Sequence, residues 1–129
     1  MGRDRMASYR LQRIYDDDAD HSSYRVLVDR LWPRGVTKER AALDAWSKDV
    51  APSTELRRWY GHDVARFAEF SRRYADELHA PPASDAVAEL RRASRARDVV
   101  LLTATRDIDH SGGRVLLDHL SDRSNAAPT

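Results

Sequence analysis

The feature that most constrains this chain is the unbroken apolar run Val99-Val100-Leu101-Leu102 inside Asp98–Thr105 (DVVLLTAT). Successive side chains of a strand point to opposite faces, so a run without alternation must be covered on both. That environment is an inner strand of a parallel sheet with helices packed above and below. The run is far short of the ~20 apolar residues that cross a bilayer. The rest of the chain must therefore supply partner strands and covering helices.

Two further segments read as strands. Ser8–Tyr15 carries Tyr9, Leu11, Ile14 and Tyr15, and Tyr24–Leu31 (YRVLVDRL) is a Val- and Leu-rich central strand. Pro33 holds Trp32 extended and Gly35 permits a turn, so Trp32-Pro33-Arg34-Gly35 ends the second strand. Thr37 caps a short helix through Ala42. Leu43–Val50 fits neither period. Ser53 caps a helix Thr54–Tyr60 that Gly61 closes. Asp63 caps a longer helix to about His79, with Val64, Phe67, Ser71, Tyr74 and Leu78 as its core stripe and Phe70 at the edge. After the Pro81-Pro82 loop, Ser84 caps a helix from Asp85 to about Ala96, and Arg114–Leu120 forms the last helix. Helices thus separate the second strand from the last, which permits a parallel crossover. The expectation is a single α/β domain, residues 9–120, with a small, mainly parallel sheet and flanking helices. Flexible ends are expected at 1–8 and 121–129.

A chain of 129 residues suits one domain. Of its 22 basic residues only Lys38 and Lys48 are lysine, and 21 acidic residues bring the net charge to +1. Such a balance argues against a strongly basic nucleic-acid binder. With no cysteine, disulfides, thiolate metal sites and thiol nucleophiles are excluded. Met1–Ala7 has no apolar core and is not a signal peptide, so a cytoplasmic location is the default. The acidic stretch Asp16–Ser23 lacks the glycine and glutamate spacing of a calcium loop and reads as a solvated turn.

In parallel sheets ligands collect beyond the carboxyl ends of strands. Both such ends are polar here. Asp29, Arg30, Trp32, Arg34 and Gly35 follow the second strand; Thr105, Arg106, Asp107, Asp109, His110, Ser111 and Gly112 follow the last. If the strands are neighbours, these loops meet, and amide groups at the start of the last helix face an anion. Arg30 or Arg34 would grip an oxyanion while Trp32 stacks. Alternatively Arg30 pairs with Asp29 or Asp44, and Trp32 packs beneath a helix. Ser53 is either a helix cap or a pocket group, with Arg57 one turn further along. His62 is a proton donor or acceptor near neutral pH, or a backbone partner at a helix junction. No Gly-x-Ser-x-Gly elbow supports a serine hydrolase. His62, His110 and Asp109 lack metal-ligand spacing on one helix, and neither metal nor cofactor is expected.

The strings Tyr24–Gly35 (YRVLVDRLWPRG), Ala51–Asp63 (APSTELRRWYGHD) and Phe70–Leu78 (FSRRYADEL) resemble the YeaO-like proteins, the short branch of the domain-of-unknown-function family 488. The resemblance runs from about Arg10 to Leu120 and implies a small bacterial cytoplasmic α/β protein. It picks out Asp29, Arg30, Trp32, Pro33, Arg34 and Gly35, then Ser53, Arg57 and Gly61-His62. Near the last strand the family pattern has Asp, His and Asn; here Ser111 stands in place of Asn, and Gly112-Gly113 in place of larger residues.

Three functions follow as expectations. The first is an anion- or nucleotide-type small-molecule pocket. In it Asp29 and His62 are the catalytic candidates, and Arg30, Trp32, Arg34, Ser53, Arg57 and His110 bind the ligand. Binding and catalysis stay open. The second is nucleic-acid binding or transcriptional regulation through Arg91, Arg92, Arg95 and Arg97, or through Arg57, Arg58, Arg66, Arg72 and Arg73, although no helix-turn-helix is evident. The third is a protein-interaction subunit with Trp46, Trp59 and Tyr60 as a partner face, unless these rings are core. No membrane partner is expected, and the sequence leaves the oligomeric state open.

Overall fold

The computed structural model describes residues 8–16 and 21–121. The expected flexible ends fall outside these residues except at Ser8 and Ser121, as does half of the acidic turn, residues 17–20. Four strands are present: β1 (Tyr9–Arg13), β2 (Tyr24–Leu27), β3 (Ala45–Trp46) and β4 (Val99–Thr103). They form one all-parallel sheet in the order β1-β4-β2-β3. The apolar run is β4, and all five of its residues are buried. It is flanked by β1 and β2, with Leu101 opposite both Leu11 and Val26.

Five helices surround the sheet: α1 (Lys38–Ala41), α2 (Thr54–Tyr60), α3 (Phe67–Leu78), α4 (Ala83–Ser94) and α5 (Gly112–Ser121). Alternate residues of β4 divide between two apolar layers. Val99 and Leu101 join Val26, Phe70, Tyr74, Leu90 and Leu116 beneath α2–α5. Val100 and Leu102 join Ile14, Val36 and Ala41 on the opposite face. No helix among the described residues is long and apolar enough to cross a membrane.

Local chemistry sets the helix ends. Thr37 Oγ1 accepts from Arg40 N (3.0 Å), and Ser53 Oγ accepts from Leu56 N (3.1 Å). Gly61, at φ +53°, closes α2 by donating to Arg57 O. Asp63 caps a single 3-10 turn, Val64–Arg66, rather than α3 itself. That turn rotates the stripe: Phe70, Tyr74 and Leu78 are buried, Ser71 is peripheral, and Val64 is 50% exposed. Ser84 is not the cap of α4, which begins after Pro82 without a side-chain cap. Both early strands are shorter than expected. Ile14 and Tyr15 leave β1 in a 3-10 turn that buries Ile14, and β2 ends at Leu27, although Val28 N still donates to Leu102 O (3.0 Å). Leu43–Val50 resolves into the two-residue β3 and a 3-10 turn, Lys48–Val50.

Candidate functional site

β2 and β4 are neighbours, so the polar loops after them meet. Asp29 joins them. One carboxylate oxygen accepts from Thr103 Oγ1 (2.7 Å), and the other from Ala104 N (2.7 Å). Burial pushes its pKa up, while Ala104, Thr103 and the nearby Arg57 charge oppose the rise. Arg30 follows on the turn and donates through Nη2 to Ala51 O and Pro52 O, each at 3.3 Å. Its Nε is buried and has no hydrogen-bond partner. No ion pair links Arg30 to Asp29 or Asp44 among the described residues. Asp44 instead accepts from Arg25 N (2.8 Å) and lies 3.7 Å from Arg97.

These groups enclose a cavity of about 80 Å³. Asp29 and Arg30 come from the end of β2, Arg57 and Tyr60 from α2, His62 from the junction after it, and Thr105, Ser111 and Gly112 from the loop into α5. Arg57 and Tyr60 are three residues apart and therefore share a helix face. The Tyr60 ring stacks on Phe70 at 4.3 Å and its hydroxyl donates to His110 O, while burial, with Asp107 and Asp63, pushes its pKa up. His62 sits at φ +59°, in the left-handed region that non-glycine residues seldom occupy. α5 can approach because Gly113 has no side chain: a Cβ there would lie 2.8 Å from Leu11 Cδ1. Ser111 Oγ donates to Ile108 O (2.7 Å) and accepts from Arg114 N (3.3 Å) at the start of the helix.

Of the eight residues singled out from sequence, Asp29, Arg30, Arg57 and His62 line this cavity. The other four lie elsewhere. Trp32 donates Nε1–H to Val36 O (2.7 Å), meets the Trp46 ring edge-on at 5.3 Å, and lines a separate cleft with Lys38 and Asp44. The Arg34 side chain is exposed, and its carbonyl accepts from Tyr15 OH (2.9 Å). Ser53 caps α2, and its hydroxyl donates to Glu77 Oε2 (2.6 Å). His110 Nδ1 lies 2.9 Å from Asp107 Oδ2, and its ring meets Phe67. Thr105 and Ser111, named only as part of the polar strand end, also line the cavity, as does Tyr60, which was not expected there. The spacing of Tyr60 from Arg57 was the available signal; for the loop residues it was their place after β4. Of the expected partner-face rings, Tyr60 is buried, whereas Trp46 and Trp59 are partly covered, by Lys48 and by Arg66 and Arg73.

A parallel sheet with a small cavity at the carboxyl ends of its two inner strands defines a small α/β domain. The chain belongs to the DUF488-N3 family: the model described as the inactive DUF488-N3 subclade matches residues 8–128. It is 46% identical over 114 residues to the uncharacterised protein Rv3073c of Mycobacterium tuberculosis, covering 88% of this chain and 94% of that one. It is 48% identical over 67 residues to the uncharacterised protein YeaO of Escherichia coli, covering 52% of this chain and 58% of that one. No solved structure matches.

Proposed function

We propose that this protein binds the anionic end of a small molecule in the strand-end cavity and does not turn it over. The observation that carries the reading is that Arg30 and Arg57 line one cavity with His62, while Arg30 Nε is buried and has no hydrogen-bond partner among the described residues. An unpaired buried donor is costly, and a carboxylate or phosphate oxygen is the acceptor a guanidinium favours. Arg30 and Arg57 together outweigh Asp29 by one positive charge. Size supports a group rather than a whole ligand: about 80 Å³ holds more than one water but falls below the ~300–1,000 Å³ of ordinary ligand pockets. The remainder of the ligand then lies outside the cavity.

Two points favour binding over catalysis. Both Asp29 oxygens already tether β4, which suits a positioning residue better than a proton carrier. The subclade's description as inactive agrees. The test is thermal unfolding with inorganic phosphate and with acetate. A ligand at ~100 times its Kd stabilises by about 2.7 kcal/mol, which is several degrees for a domain of this size. Arg57, exposed on α2, is the residue to remove; Arg57→Ala is expected to keep the fold and abolish the shift. No shift with either anion, or an undiminished one in the variant, overturns the reading.

A further inference from the structure

The charged side chains of α4 line two different depressions. Asp85 and Glu89, one turn apart, face the cleft against Trp46 and Lys48. Arg91, Arg92 and Arg95 line a groove of about 340 Å³ closed by His79 after α3 and His119 on α5. Its floor is Leu78, Val87 and Ala88, and among the described residues no carboxylate lines it. The arginines of the neighbouring helices are compensated. Arg72 and Arg73 pair with Glu69, and Arg114 lies 3.7 Å from Asp118. Arg91 donates to His119 O (3.3 Å), but Arg92 and Arg95 have no hydrogen bond or ion pair among the described residues. Basic residues in a last helical turn offset the helix dipole.

We propose that this groove is a binding site for a small organic phosphate of nucleotide size. It is independent of the strand-end cavity. The guanidinium forks of Arg92 and Arg95 match phosphate oxygens, and neither makes an ion pair among the described residues, although Glu89 lies three residues before Arg92. From Ser84 to Arg95 is eleven residues, about 16 Å along the helix, which leaves room for an organic group beside the phosphates. The apolar floor and the two imidazoles, edge to face at 5.2 Å, provide a wall for a planar ring. The volume lies in the range of small-molecule sites, ~300–1,000 Å³, which the strand-end cavity does not reach.

The test is calorimetric titration with ATP, tripolyphosphate and a short single-stranded DNA on the whole chain. ATP is expected to bind at one site, and tripolyphosphate more weakly because it lacks the ring. The double variant Arg92→Ala/Arg95→Ala, at two exposed positions, is expected to keep the unfolding temperature and weaken ATP binding at least about tenfold. The titrations are run in the Arg57→Ala background, which removes the strand-end anion site, so that ATP binding lost with Arg92 and Arg95 belongs to this groove. Absence of ATP binding, or binding undiminished in the double variant, overturns the proposal. So does DNA binding that tightens with strand length while ATP fails to compete, since that marks a polynucleotide surface.

Discussion

The two faces of the sheet are held in different ways. Beneath α2–α5 the layer is apolar and continuous, with Phe70, Tyr74, Leu101 and Leu116 at its centre. Among the described residues the opposite face has only a one-turn helix and loops, and a small apolar patch around Val100 and Leu102. What secures it is side chains bonded to backbone. Arg25, 1% exposed, donates through Nη2 to Ala41 O (2.6 Å) and through Nε to Ala42 O (2.9 Å), holding the carboxyl end of α1 against the sheet. Trp46 Nε1 donates to Asp29 O (2.7 Å), and Trp32 Nε1 to Val36 O (2.7 Å). A thick face can rely on area removed from water; a thin one has too little area and uses directed bonds to backbone.

The largest effects test that contrast directly. Phe70→Ala opens a cavity in the thick layer, and a loss of about 4 kcal/mol is expected in denaturant unfolding. Arg25→Ala removes a large, fully buried side chain and leaves the Ala41 and Ala42 carbonyls without their charged donor, so about 3 kcal/mol is expected. A loss below ~1 kcal/mol for Arg25→Ala would break the comparison, because the thin face would then stand on its apolar patch alone.

Asp29 extends the same logic to the strand ends, with a smaller effect. Asp29→Ala releases Thr103 and Ala104 N, and about 2 kcal/mol is expected at neutral pH, since relief of a buried charge offsets part of the loss. The pH dependence sharpens the point. The folded pKa lies above the ordinary 3.8, so the folded state holds the Asp29 proton more tightly than the unfolded state. Its contribution to stability is fully present below 3.8 and declines as pH rises through the raised folded value. The stability gap between the protein and Asp29→Asn, followed by urea unfolding, should therefore be wider below 3.8 than at neutrality. A gap that widens with rising pH would contradict the burial of this carboxyl.

The contrast also explains what could be read from the sequence. β4 was legible because burial on both faces leaves an unbroken apolar run, and α2 because Ser53 and Gly61 carry the cap chemistry at its ends. The meeting of the Asp29 and Thr105 loops followed once β2 and β4 were taken as neighbours. The thin face was not legible. A buried arginine has no periodicity to mark it, and β3, two residues long, has too few positions to show an alternation. Trp32 illustrates the limit within the candidate site. Its place after a strand suggested a stacking wall; the structure sets the ring in a separate cleft against Trp46, with its indole N–H bonded to Val36 O.

His62 gives the smallest effect. Its left-handed backbone, φ +59°, follows Gly61 at φ +53°, so the chain makes two such steps as it leaves α2. A residue with a Cβ in that region is strained by about 1–2 kcal/mol, and glycine is not. Glycine also enlarges the unfolded ensemble, which returns up to ~1 kcal/mol. The net expectation for His62→Gly is a gain of about 0.5 kcal/mol in urea unfolding. The same variant removes an imidazole from the strand-end cavity, so the anion-induced rise in unfolding temperature should shrink while intrinsic stability holds or improves. Directed bonds at Arg25 and Asp29 stabilise the fold, whereas the left-handed turn at His62 works against it. A stability loss above ~1 kcal/mol in His62→Gly would move this residue into the same group as Arg25.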